Sequence, residues 1–263
     1  PVIGSDNYYQ IILIEGFNEK KLILQNENQK NKIAMSNMSQ ILAHEVKNPL
    51  AGIRGAAQIL EKNVESNEII MTDLIINEVD RIKRLVDNLQ VFDASIPIDL
   101  KSINIHSILR HVKEVMINSS EKKIKIKEVF DPSIPNVIGN EDQLIQVFIN
   151  LIKNSIEAFS DESDSDNEIT LSTSYEHGFT VKEKLSEEKV KLPIKVSVMD
   201  NGPGIPASIS NEIFQPFVST KKIGQGGLGL SIVSKIISDH NGTIELDLTY
   251  QGTKFIIRLM AEL

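Results

Sequence analysis

Apolar positions recur at helical spacing through the first third of the chain, and alternate with polar ones through much of the rest. From about Leu22 to Val64, a broad stripe of Ile33, Met38, Ile41, Leu42, Val46, Leu50, Ile53, Ala57 and Leu60 predicts an amphipathic helix. A second stripe, Ile75, Val79, Ile82, Leu85, Val86 and Leu89, predicts another from about Glu68 to Phe92, with the break near Ser66–Asn67. A short connection makes two such helices an antiparallel hairpin. Their apolar surface exceeds what one partner helix covers, so a second copy completing a four-helix bundle is expected. Pro97 marks the end of this region.

Beyond it the period changes. Ile103–Met116 reads as a helix, and Lys-Ile-Lys-Ile-Lys-Glu-Val at 123–129 as a strand with one wet face. Asp142–Phe159 reads as a helix, Glu168–Tyr175 and Lys191–Met199 as strands, and the polar stretch 176–190 as a protruding hairpin. The acidic run 161–168 is a solvated loop on this reading. Leu228–Asn241 is a further helix, and Ile244–Leu248 with Lys254–Leu259 a closing hairpin. Ahead of the helices, Tyr-Tyr-Gln-Ile-Ile-Leu-Ile at 8–14 predicts a strand. One or two strands do not make a domain, so residues 1–25 read as the trailing edge of one. The first residue is Pro1 rather than Met, which reads as a piece of a longer protein. Three regions result: 1–25, a linker helix and hairpin over 26–98, and an α+β domain over 99–263.

Composition narrows the function. The formal charge of −8 argues against general nucleic-acid binding, and the absence of cysteine excludes disulfides, thiol catalysis and thiolate metal sites. No apolar run approaches the roughly 20 residues that span a bilayer, and no signal peptide is evident. A cytoplasmic protein without a membrane segment is expected.

Residues 44–54, His-Glu-Val-Lys-Asn-Pro-Leu-Ala-Gly-Ile-Arg, concentrate the candidate chemistry of the hairpin region. His44 and Asn48 share a helical face at i,i+4. Pro49 has no amide hydrogen and crowds the carbonyl of Glu45, so a bend is expected just after the histidine. His106, His111, His177 and His240 have no comparable setting and read as structural. In the α+β domain, Val-Met-Asp-Asn-Gly-Pro-Gly at 198–204 ends a strand in Asp200, with Gly202 and Gly204 following. Glycine allows a ligand close to the backbone, although an ordinary Asn-Gly turn has the same composition. Gly224, Gly226, Gly227 and Gly229 sit directly before an apolar helix, with Leu228 among them and Lys221 and Lys222 just upstream. Such a loop and helix start suit phosphate, but no Gly-Lys-Ser/Thr follows, so this is not a Walker loop. Asn150 and Asn154 repeat at i,i+4 beside Lys153 and Glu157. Paired amides on an apolar helix are costly unless they bind something, and oxygen donors suit Mg²⁺; exposed amides on a wet face are the plainer alternative.

In order, His-Glu-x-x-Asn-Pro, then Asn150-Leu-Ile-Lys-Asn154-Ser-Ile-Glu-Ala, then Asp200-Asn-Gly-Pro-Gly, then Phe214-Gln-Pro-Phe217, then Gly227-Leu-Gly-Leu resemble the phosphoacceptor, N, G1, F and G2 boxes of a sensor histidine kinase. The resemblance covers about residues 30–263. More narrowly, the run from Leu42 to Leu60 resembles the nitrogen-regulation NtrB family, and the long hairpin before Asp200 is similar to that family too. Gly226 departs from the pattern, standing where the family has threonine.

The resemblance implies a dimeric helical hairpin followed by an α/β sandwich of the gyrase/Hsp90/histidine-kinase type, with residues 1–25 the end of a PAS sensor domain. It implies ATP and Mg²⁺ as cofactors. Asp200 would read the adenine amine, Asn154 with Asn150 would hold Mg²⁺, and the loop 221–229 with Phe217 would cover the phosphates. His44 would take the γ-phosphoryl group, with Glu45 orienting the imidazole and accepting its proton. The group would pass to the receiver domain of an NtrC-like response regulator. Asn48 would serve a phosphatase activity toward that regulator, and a P-II signalling protein would be a further partner. An ATPase or serine kinase sharing the nucleotide fold would lack the His-Glu-x-x-Asn hairpin, and a plain dimerisation module would lack the glycine loops.

Overall fold

The computed structural model describes residues 46–62, 66–90, 98–120, 122–159, 167–182, 189–218, 227–248 and 250–262. The strand expected at 8–14 and the first half of the long helix, with His44 and Glu45, lie outside the described residues, as does the expected bend. The chain divides into two compact units between Ala94 and Ser95.

The first unit holds α1, helical over residues 46–61, and α2, Ser66–Gln90. The second helix therefore begins at the position expected to be the break, and the turn falls earlier, at Lys62. Leu50 and Ala57 of α1 and Thr72, Val79 and Val86 of α2 are buried. In each helix these positions lie seven residues apart, which keeps them on one face. Beside this seam two ion pairs, Lys47–Asp87 at 2.6 Å and Arg54–Asp80 at 2.9 Å, join the helices one heptad apart. Other apolar positions stay open, among them Ile53, Leu60, Ile75 and Ile82.

The second unit contains β1 (Lys101–Ile103), α3 (Ile105–Ser119), β2 (Lys125–Val129), β3 (Val137–Gly139), α4 (Glu141–Ala158), β4 (Glu168–Tyr175), β5 (Thr180–Lys182), β6 (Lys189–Lys191), β7 (Ile194–Asp200), α5 (Gly229–Asp239), β8 (Thr243–Leu246) and β9 (Thr253–Leu259). A mixed five-stranded sheet runs in the order β2-β4-β7-β9-β8, with only the β2–β4 pair parallel. The helices pack together as α3·α4 and α4·α5, with α4 reaching β7 and α5 reaching β8.

Alternation along the central strands builds the layer between sheet and helices. Ile169 and Leu171 of β4, Ile194, Val196 and Val198 of β7, and Phe255, Ile257 and Leu259 of β9 are all buried. The helices return Leu109, Leu144, Phe148, Leu151, Ile152, Ile232 and Val233. Asn104 caps α3 by accepting from the His106 amide, and Asn140 caps α4 by accepting from the Gln143 amide.

Two sequence expectations change. The small pair β1–β3 was not foreseen; three-residue strands carry too little alternation to register. The strand expected over 191–199 is two elements, because Leu192 and Pro193 interrupt it. Pro193 lacks an amide hydrogen, so at the next position of the β4–β7 register only half the pairing forms, its carbonyl accepting from the Glu176 amide with no bond returned. The polar stretch 176–190 does form a hairpin, β5–β6, whose described base folds Phe179 onto the Arg258 guanidinium at 4.1 Å. Among the described residues no helix is long and apolar enough to cross a membrane.

Candidate nucleotide site

Asp200 is the last residue of β7 and lies on the helix-facing side of the sheet, only 2% exposed. A buried carboxylate is costly without partners, and three donors meet it. The amides of Gly202 and Thr253 both donate to Oδ1, at 3.0 and 3.2 Å. The Ser155 hydroxyl of α4 donates to Oδ2 at 2.6 Å. The backbone around the carboxylate is correspondingly tight. At Gly252, with φ of +99°, an added Cβ would stand 2.1 Å from the Asp200 carbonyl oxygen. Gly204, at φ +77°, passes close to the Gly252 carbonyl. Both glycines are required by geometry rather than tolerated. Below Gly202 lies the ring of buried Phe159.

Asn150 and Asn154 lie half-buried on α4, while Leu151 and Ile152 between them face the core with no exposure. The start of α5 comes against both amides: a Cβ on Gly229 would meet Asn150 Oδ1 at 3.4 Å and Asn154 Nδ2 at 3.9 Å. Unlike α3 and α4, α5 has no side-chain cap, its cap residue Leu228 being buried and apolar. Its first amides are thus left to other acceptors, and the helix end favours negative charge. Lys153 is exposed and paired along its own helix with Glu157 at 3.8 Å.

The glycine loop is closed at its base. The Phe217 amide donates to the Gly227 carbonyl at 2.7 Å. Both residues have positive φ, +66° and +98°, and a Cβ on Gly227 would come 2.9 Å from the Phe217 Cα. Phe217 itself is 71% exposed, whereas Phe214 of the same segment packs edge-on against Phe255. Lys221, Lys222, Gly224 and Gly226 lie outside the described residues.

The structure thus brings Asn150, Asn154 and Gly229 together, and Asp200, Gly202 and Gly204 into a second cluster. Ser155 bridges the two, one residue past Asn154 and bonded to Asp200. Sequence reasoning passed over Ser155, Thr253, Gly252 and Phe159. Gly252-Thr253 ahead of the last strand was a visible turn signal; nothing local marked Ser155. In the hairpin unit, Asn48 is exposed on α1 beside Pro49.

As to a metal, no group of three or more His, Cys, Asp or Glu among the described residues could cage one. Mg²⁺ needs only one or two protein oxygen donors when phosphate and water complete its shell, and the amide oxygen Asn150 Oδ1 beside the start of α5 is a hard oxygen donor of that kind.

Two domain families match the chain. Residues 34–93 match the His Kinase A (phospho-acceptor) domain, and residues 139–263 match the histidine kinase-, DNA gyrase B- and HSP90-like ATPase domain. That pairing is the architecture of a histidine kinase. The NtrB sensory histidine kinase/phosphatase of Rhizobium meliloti (strain 1021) is 41% identical over 261 residues, 99% of this chain and 68% of that protein. The NtrB of Azospirillum brasilense is 46% identical over 222 residues, 84% of this chain and 54% of that protein. Among solved structures, full-length ShkA in complex with AMPPNP superposes with a TM-score of 0.68 at 25% identity, covering 87% of this chain and 47% of that one. The chain belongs to the NtrB family of sensory histidine kinases/phosphatases.

Proposed function

We propose that the chain binds ATP·Mg²⁺ between α4, the β7 end and the α5 start, phosphorylates itself on His44, and passes the phosphoryl group to an aspartate in the receiver domain of an NtrC-like response regulator. The observation that carries the nucleotide half is the convergence of the Asn150–Asn154 face with the uncapped start of α5 beside the buried Asp200. Asp200 accepts from the adenine amine. Gly202 and Gly204 let the base approach the backbone. The α5 amides, with Lys221, Lys222, Gly224, Gly226, Gly227 and Gly229, meet the phosphates, and Phe217 stands at the hinge of that cover.

Asn154 and Asn150 hold Mg²⁺, which when bound neutralises phosphate charge. The neutral His44 imidazole forms the N–P bond as the bond from the γ-phosphorus to the bridging oxygen breaks and ADP departs. Glu45 orients the ring and takes its proton. The N–P bond is then exchanged for an acyl phosphate on the regulator.

Asn48 supports the opposing activity, hydrolysis of the regulator's acyl phosphate to the free carboxylate and inorganic phosphate. Its exposed amide, one turn beyond His44, can accept and donate at once and so hold a water in line with the regulator's acyl phosphate. Residues 1–25 form the end of a PAS domain. The hairpins pair as a homodimer, supported by the open positions Ile53, Leu60, Ile75 and Ile82 flanking the buried seam. A P-II signalling protein, by family likeness, is a further partner.

Incubation with γ-labelled ATP and then with a receiver domain tests this reading. Label should appear first on the chain and then leave it for the regulator. A chain that hydrolyses ATP without ever carrying label would be an ATPase with this fold.

A further inference from the structure

We infer that Ser155 is a positioning residue for purine recognition: its hydroxyl fixes Asp200 so that a single acceptor position remains for a 6-amino group. This rests on the assignment of Asp200 to the adenine amine. A carboxylate offers about four lone-pair positions, two on each oxygen. At Asp200 the Gly202 and Thr253 amides both go to Oδ1, which fills it. Ser155 takes one position on Oδ2, at 2.6 Å. One position on Oδ2 is left among the described contacts, and a donor is what it requires.

The identity of the fixing group matters. Two of the three donors are backbone amides: Thr253, set by the β7–β9 register in which it pairs with Asp200, and Gly202, set by the turn that follows β7. Turning the carboxylate about its Cβ–Cγ bond moves both oxygens, so the amides on Oδ1 and the hydroxyl on Oδ2 fix its angle together. Among the described residues only Ser155 holds Oδ2, and it sits on α4 immediately after Asn154. The helix that presents the amides to the phosphate end therefore also shares in setting the angle of the group that reads the base, and is the element that reaches its Oδ2. Ser155 is 3% exposed, so water does not readily substitute for it. Its hydroxyl lies farther, 3.4 Å, from the Leu151 carbonyl, which leaves the carboxylate as the better acceptor.

A nucleotide cycle isolates this role. Equilibrium affinities of the full chain and of Ser155→Ala would be measured for ATP and for purine riboside triphosphate, which lacks only the 6-amine. Alanine is a better helix former than serine, so α4 keeps its shape. The wild type should prefer ATP. In Ser155→Ala, ATP affinity should fall roughly five- to tenfold while that for the deaminated analogue stays the same, because a charge-assisted contact is lost only where the amine exists. Equal loss for both nucleotides, or undiminished preference for ATP in the variant, would overturn the role of Ser155. A wild type that binds both nucleotides alike would instead show that Asp200 does not read the amine, which is a failure of the underlying assignment.

Discussion

Asp200 shows how much one side chain takes from its surroundings. Its position at a strand end ahead of two glycines was legible in the sequence, because strand alternation and glycine are local signals. Its partners were not. Ser155 lies 45 residues earlier and Thr253 53 later, and only the packing of α4 and β9 on β7 brings them in. Replacing Asp200 by Asn substitutes an NH₂ donor for one acceptor oxygen. With Oδ1 kept by its two amides, the donor faces the base amine. ATP affinity should therefore drop by about tenfold or more, with unfolding cooperativity retained; calorimetric titration of the folded variant reads this directly. Asn48 calls for a different assay. In Asn48→Ala, dephosphorylation of the regulator should fall by on the order of 10²-fold if the amide positions water, while labelling from ATP continues. Unchanged dephosphorylation would leave Asn48 as a helix-surface amide beside Pro49.

Among elements, the long helices and the Gly-Leu-Gly start of α5 were readable because their patterns repeat over many residues. The β1–β3 pair was not, since three-residue strands carry too little alternation, and the break at Pro193, although a proline is a local signal, was masked by the apolar run around it. The turn carrying Gly252 is held at a separation no side chain fits. Gly252→Ala places a Cβ against the Asp200 carbonyl at a positive φ, so at least about 2 kcal/mol of stability should be lost in denaturant unfolding.

A second coupling runs through His240, fully buried at the C-terminal end of α5. Its Nδ1–H donates to the Ile236 carbonyl at 2.8 Å, and Nε2 accepts from the Asn140 amide at 2.9 Å, joining α5 to the start of α4. Burial pushes the ring's pKa below its ordinary value, and protonation would set a second donor against Asn140. The unfolded chain binds this proton near pH 6.5 and the folded one does not. Stability is thus full above about 6.5 and is lost as pH falls from there toward the lower folded value. His106, stacked on Phe130 and bonded to Thr173, is shifted the same way by burial and acts in the same window. Melting curves from pH 7.5 to 5 should show the decline, and His240→Phe should be less stable at pH 7.5 yet flatter with pH. A decline equally steep in that variant would assign it elsewhere.

At the scale of the whole molecule, the apolar stripe predicted a hairpin, and α1 and α2 form one. Leu50, Ala57, Val79 and Val86 close the seam between them, while Ile70, Met71 and Leu74 stay 62–72% exposed. Open apolar surface of this extent calls for a covering partner. Light scattering at micromolar concentration should give a dimer, and charge placed at the open positions, as in Ile53→Glu with Ile82→Glu, should give monomers. A wild-type monomer at that concentration would contradict the four-helix assembly. The two ion pairs beside the seam, Lys47–Asp87 and Arg54–Asp80, are partly exposed and contribute at most modestly to stability; their place is in setting register. The proposed reaction is transfer of the γ-phosphoryl group from ATP bound near Asp200 to His44. The most direct measurement is the stability and location of the label after incubation with γ-labelled ATP and Mg²⁺. The account predicts an acid-labile, base-stable phosphoryl group that is absent in His44→Gln. Label of undiminished amount in that variant would contradict it.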